Sequence, residues 1–274
     1  MIREITIGQY YPGKSLIHSL DPRVKLFGTI MYIIGLFVAD SYVTVIYMTF
    51  ALAAMIALCG VPFGYMVRGL KSVVILLIIA AAFNLFLTPG ETLVEFWKFS
   101  ISDKGLRSAL LMLFRMTYLI VGTSIMSLTT TPNQLTDGME KSMRPLKYVG
   151  VPVHEIAMMM SIALRFIPIL IEETDKIMKA QMARGADFES GGLIKKSKAL
   201  IPLMVPLFVS AFRRANDLAL AMEARCYHGG DGRSRMKPLV YSKKDGVAYV
   251  VIIVVFAGVI ALSIISARAG WRLL

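Results

Sequence analysis

The chain of 274 residues is 56% hydrophobic and carries 30 Lys and Arg against 18 Asp and Glu, a formal charge of +12. That apolar fraction exceeds what a water-soluble domain uses to build its core, so an ordinary globular protein is excluded and a membrane protein is predicted. Nucleic acid is excluded as the reason for the charge, because no basic run is interleaved with aromatics and the charges alternate with apolar blocks. Cys59 and Cys226 are far apart and offer no metal-ligand spacing, which argues against a disulfide framework and against a metal site.

The first residues, MIREITIGQYYPGKSLIHSLDPRVK, put polar groups and Gly13 where a cleaved signal needs an apolar core, so no signal is expected. Asp21-Pro22 reads as a helix N-cap followed by an N1 proline. Five apolar stretches then have the length a bilayer core of about 30 Å demands. They are Val24 to Ala39, Tyr42 to Cys59, Ser72 to Thr88, Leu106 to Leu128 and Val247 to Ala267.

Loop charges orient them. The turn at Asp40 and Ser41 has no basic residue, whereas Arg68 and Lys71 follow the second stretch, so the N-terminus and that second loop are expected in the cytoplasm. The connection from Pro89 to Gly105 mixes Glu91, Glu95 and Asp103 with Lys98 and Lys104 and suits the outside. Arg115 lies about nine residues into the fourth stretch, where a charge is costly. Snorkelling to the outer interface, pairing with Asn84 and a direct transport role are its open readings.

Between the fourth and fifth stretches, Thr129 to Asp245 holds 18 Lys and Arg against 12 Asp and Glu. A helix is expected from Thr131-Pro132-Asn133-Gln134 to about Arg144, stopped by Pro145. A long helix follows Gly150-Val151-Pro152 and ends at Gly185. Another begins at Leu193, after Gly191-Gly192, and stops near Gly229-Gly230. Their apolar blocks, Ile156 to Ile171 and Ala199 to Phe212, suit tilted surface helices or two further crossings. Two extra crossings leave the direction of the last span unchanged, so charge does not separate five spans from seven; five is the expectation. The predicted class is all-α: residues 1–128 a membrane part with four transmembrane helices, 129–245 a cytoplasmic coupling-helix region, 246–274 a C-terminal transmembrane helix.

Ala183-Arg184-Gly185 and Ala224-Arg225-Cys226 end the two long helices, 41 residues apart. A cation near a single helix C-terminus is explained by the helix dipole, worth about 0.3–1 kcal/mol. The repetition suggests two presented guanidiniums, whose planar forks suit carboxylates or carbonyls in a groove of another protein. Met158, Met159 and Met160, with Met204, read either as core packing or as a soft surface for changing partners. His154-Glu155 starts a zinc-protease pattern, but Met158 stands where the second histidine belongs. No phosphate-binding loop is present, so any ATP is handled elsewhere.

The strings EIAMMMSIALRFIPILIEETDKIMKAQMARG and PLFVSAFRRANDLALAMEARCY, with Ser19-Leu20-Asp21-Pro22-Arg23 and Thr130-Thr131-Pro132, resemble the T component of energy-coupling factor transporters. The resemblance covers the remaining chain as well. The family's paired Ala-Arg-Gly-type motifs match residues 183–185 and 224–226, with Cys226 in place of glycine, which puts the second glycine cap in doubt. The resemblance implies a non-catalytic subunit of the bacterial cell membrane, in an importer of a vitamin or metal ion. Its partners would be two cytoplasmic ABC-type ATPases, which hold ATP and Mg, and a small, exchangeable substrate-binding membrane protein. Each arginine motif would enter a groove on one ATPase. The alternatives are a lipid-modifying enzyme, for which no paired aspartates, His-rich cluster or activated nucleophile is seen, and a self-sufficient carrier, which needs more polar residues in the spans.

Overall fold

The computed structural model describes residues 10–71, 73–88, 92–96, 99–186, 188, 192, 199–229 and 238–269. Helices α1 (Pro22–Val38), α2 (Tyr42–Cys59), α3 (Phe63–Lys71) and α4 (Val74–Leu87) are followed by strands β1 (Thr92–Phe96) and β2 (Phe99–Ser102). Then come α5 (Asp103–Thr129), α6 (Pro132–Ser142), a 3-10 helix at Arg144–Val149, α7 (Val153–Ala183), α8 (Ile201–Glu223) and α9 (Lys243–Arg268). The chain is an all-α membrane protein with one addition. In the connection read as an outer loop, β1 and β2 pair antiparallel, from Thr92 opposite Ser102 to Phe96 opposite Phe99.

Among the described residues, α2, α5, α7 and α9 are long and apolar enough to cross a membrane, and α3 with α4 makes a fifth if that bent pair is one span. The first expected span is α1, whose 17 residues stand at the short limit for crossing. The third is α4 alone, 14 residues or about 21 Å, which falls short without α3. Ser72, its expected first residue, lies outside the described residues, as does Leu193, the expected start of the second long helix. Pro145 does not stop α6 directly: that helix ends at Ser142, and the proline sits in the first turn of the 3-10 helix.

The described residues divide into two compact units, one from Gly8–Ser142 and Leu239–Leu274, the other from Met143–Pro238. In the first unit, α1, α2, α5 and α9 pack around Leu36, Met48 and Val259, and a second cluster gathers Leu52, Cys59, Met66, Val121, Ile125 and Leu128. Helices approach closely where a side chain is missing: a Cβ at Gly122 would run into the Tyr32 ring, and one at Gly258 would stand 2.6 Å from the Tyr47 hydroxyl.

One end of this unit is tied by charge. Asp21 caps α1 by accepting the Arg23 N–H at 2.9 Å, and its carboxylate also takes the Arg23 guanidinium through two bonds of 2.9 Å. This carboxylate raises the Arg23 pKa beyond its ordinary value by favouring the charged form. Asp245 closes a capping box with Ser242 at the start of α9 and accepts the Asp21 N–H at 2.8 Å, joining positions 224 residues apart. Lys25 donates to the Thr129 carbonyl at 2.8 Å, at the end of α5. Asp21, Lys25 and Asp245 are all buried, so each such bond replaces water that the group has lost.

Candidate functional site

The two long helices form the second unit. Helix α7 starts after Pro152 with Glu155 in its first turn, where an acid complements the dipole, and runs 31 residues, about 46 Å, despite Pro168 inside it. Helix α8 opens with Pro202 in its first turn, where the missing N–H has no helical partner to lose.

Their ends are the same structure. At α7, the Arg184 N–H donates to the Gln181 carbonyl, Gly185 to Met182 and Ala186 to Gln181, each at 3.0 Å. At α8, Arg225 donates to Met222 at 3.1 Å, Cys226 to Glu223 at 2.8 Å and Tyr227 to Met222 at 3.0 Å. These are the nested bonds of a Schellman motif, and every donor and acceptor in one has its counterpart 41 residues on in the other. The residue that turns the chain is left-handed in both, Gly185 at φ 89° and Cys226 at φ 55°. Among the described residues, Cys226 is the one non-glycine with positive φ. The doubt that the missing glycine raised is thereby answered: the second cap forms, and the chain carries a strain of about 1–2 kcal/mol to form it without glycine.

This cap places Arg184 and Arg225 alike, as the last residue before the left-handed turn. Both are exposed, as are Ala183 and Ala224, and among the described residues neither guanidinium has a hydrogen-bond or ion-pair partner. Each is a free cation at the negative end of a long helix, a fork available to an oxygen-rich groove.

Three turns before each arginine the helices are pinned together. Glu173 of α7 accepts the Ser210 hydroxyl at 2.5 Å and the Arg214 guanidinium at 2.6 Å, both from α8. Glu173 and Arg214 are again 41 residues apart, and each precedes its arginine by 11 residues, about 16 Å of helix. The site is therefore two arms of equal length beyond one polar crossing. The sequence reading missed this clamp, although two opposite charges at the repeat spacing were a signal for it.

The methionines are not core. Met159, Met160 and Met204 are exposed and Met158 is half-buried, with exposed Ile201, Val205, Phe208 and Phe212 continuing the apolar face of α8. Arg115 does not pair with Asn84, whose amide donates to the Ala80 carbonyl and the Met112 sulfur. It reaches Asp40 at 3.0 Å and lies over the Phe37 ring, at the turn between α1 and α2. Asp40 lies in the turn read as the outer one and its side chain is 44% exposed, so this pairing agrees with a side chain that reaches toward the outer interface.

The family model described as a cobalt transport protein matches residues 13–238. Over 273 residues the chain is 52% identical to an energy-coupling factor transporter transmembrane protein, EcfT, of Clostridium kluyveri, covering 99% of both chains. It is 48% identical over 270 residues to the protein of that name from Thermosediminibacter oceani, covering 98% of this chain and all of the relative. Against the one from Bacillus subtilis it is 45% identical over 258 residues, 94% of this chain and 97% of the relative.

Proposed function

The chain belongs to the family of energy-coupling factor transporter transmembrane proteins, and we propose that within it the chain couples two cytoplasmic ABC-type ATPases to a small substrate-binding membrane protein. The observation that carries this reading is the identical capping of Arg184 and Arg225 on helices clamped at Glu173. Two equivalent cations on equal arms suit two equivalent grooves, one on each ATPase. ATP and Mg belong to those partners, and this chain carries no catalytic residue.

Closing of the ATPase pair moves the helix ends, and the clamp makes α7 and α8 move as one piece. The exposed apolar face with Met159, Met160 and Met204 is the docking side for the substrate-binding protein, whose exchange sets which vitamin or metal ion enters. A methionine-rich face repacks against different partners at little cost. The protein sits in the bacterial cell membrane, with its N-terminus and long helices on the basic, cytoplasmic side.

The test is the Arg184→Ala/Arg225→Ala double variant in the reconstituted complex. Loss of two interface arginines at about 2 kcal/mol each lowers ATP-dependent uptake by at least tenfold and weakens ATPase assembly. Unchanged uptake together with unchanged assembly overturns the coupling role. The lysine double variant keeps charge but not the fork, and is expected to recover only part of the uptake.

A further inference from the structure

The first unit contains an apolar cavity of about 450 Å³ between α1, α2, α5 and α9, and a second of about 190 Å³ that shares Gly28, Tyr32, Met55 and Ile252 with it. Together they form a groove along α9 from Lys244 to Val259, about 22 Å long. Half of a bilayer core is about 15 Å, so a groove of this length reaches from the headgroup region, where Lys244 stands, to about the midplane.

Its walls are apolar except at one end. There Lys25 and Lys244 line it beside Thr129. Lys244 is exposed. Lys25 is only 8% exposed, and no carboxylate among the described residues pairs with it; its bonds go to the Thr129 and His18 carbonyls. The two nearest acids are already engaged, Asp21 by the Arg23 guanidinium and Asp245 by Ser242 and the Asp21 N–H. Lys25 is a buried ammonium with no direct ion pair, on which Asp21 and Asp245 act only through space, and at the end of a groove one leaflet deep it fits a molecule with an anionic head and a long apolar tail.

We propose that this groove holds one acyl chain of an anionic phospholipid, with its phosphate between Lys25 and Lys244. The lipid comes from the leaflet on the side of the α1 and α9 N-termini. It fills the gap between α1, α2 and α9 and gives Lys25 and Lys244 an anion in direct contact.

Native mass spectrometry of the full-length chain in detergent, titrated with phosphatidylglycerol or phosphatidylcholine of matched acyl chains, tests this. The expected result is one phosphatidylglycerol retained at about tenfold lower concentration than phosphatidylcholine. Lys244→Gln, at an exposed position that leaves packing intact, lowers that preference about fivefold, and Ala248→Phe, which fills the groove wall, lowers retention of both lipids. The water-soluble headgroup alone, glycerophosphoglycerol, does not compete, because the acyl chain supplies the binding.

Equal retention of the two lipids by the unaltered chain overturns the proposal, as does a Lys244→Gln chain with unaltered preference. Competition by glycerophosphoglycerol shows an anion site without a lipid groove. Loss of the lipid when the complete transporter is assembled shows that a protein partner occupies the groove instead.

Discussion

Helices α5 and α7 are similar in length, 27 and 31 residues, and both are apolar enough to cross a membrane, yet their surroundings differ. Eight residues of α5 are buried, among them Gly105, Leu111, Val121 and Ile125, whereas α7 buries only Val153 and Ala157. Helix α8 resembles α7, with Leu203 alone buried. Helix α5 is covered by its own unit, whereas α7 and α8 leave an apolar surface that something else must cover, as do the outer faces of α4 and α9 in the first unit, where Phe83, Leu87, Val247 and Val254 are exposed. A bundle packed around a buried central helix suits an anchor; a clamped pair with no such centre suits a part that binds and moves.

The comparison breaks most sharply at Asp245, which joins the first and last helices of the closed unit. Asp245→Ala removes a buried acceptor of three bonds and frees the Asp21 N–H, and is expected to cost about 3 kcal/mol. It should lower the thermal unfolding midpoint of the purified chain by several degrees while leaving hydrogen exchange at the ends of α7 and α8 unchanged. Parallel loosening of both units would show that they are not separate in stability.

Smaller effects separate the two caps from each other. Cys226→Gly relieves a left-handed cysteine and should stabilise the end of α8 by about 1 kcal/mol, seen as roughly fivefold slower exchange at the Cys226 and Tyr227 amides. Gly185→Ala should do the reverse at the Gly185 and Ala186 amides of α7, by a similar amount. Equal exchange in the unaltered chain and in both variants would mean that the left-handed turn is not what holds the caps.

The smallest expected stability change lies at the clamp. Arg214 is 40% exposed on its side chain, so the Glu173–Arg214 pair contributes about 0.5 kcal/mol in a double-mutant cycle. Its effect on transport should be larger than that figure suggests, because Glu173→Gln with Arg214→Gln lets the two arms move independently. Uptake falling several-fold at nearly constant unfolding midpoint is the expected split; proportionate loss of both would reduce the clamp to an ordinary surface ion pair.

Much of this architecture was readable from local signals. Asp21-Pro22 does cap α1, Thr131 and Gln134 do exchange bonds at the start of α6, and the first long helix, expected to end at Gly185, closes at Ala183 with Gly185 making the left-handed turn. Each depends on residues within four positions of one another. The hairpin at Thr92–Ser102 was not foreseen, since it lies in a connection judged by charge alone. The open readings of Arg115 did not include Asp40, which stands 75 residues away and comes within reach only through helix packing.

The amino-acid sequence by itself determined the membrane class, the two matched Ala-Arg-X helix ends and the family resemblance, because composition and short motifs act through neighbouring residues. Tertiary structure decided that Glu173 meets Arg214 one repeat away, and that Lys25 is buried at the end of an apolar groove against Thr129. Those facts join positions tens to hundreds of residues apart. No local propensity encodes such a meeting; it exists only once the helices have packed.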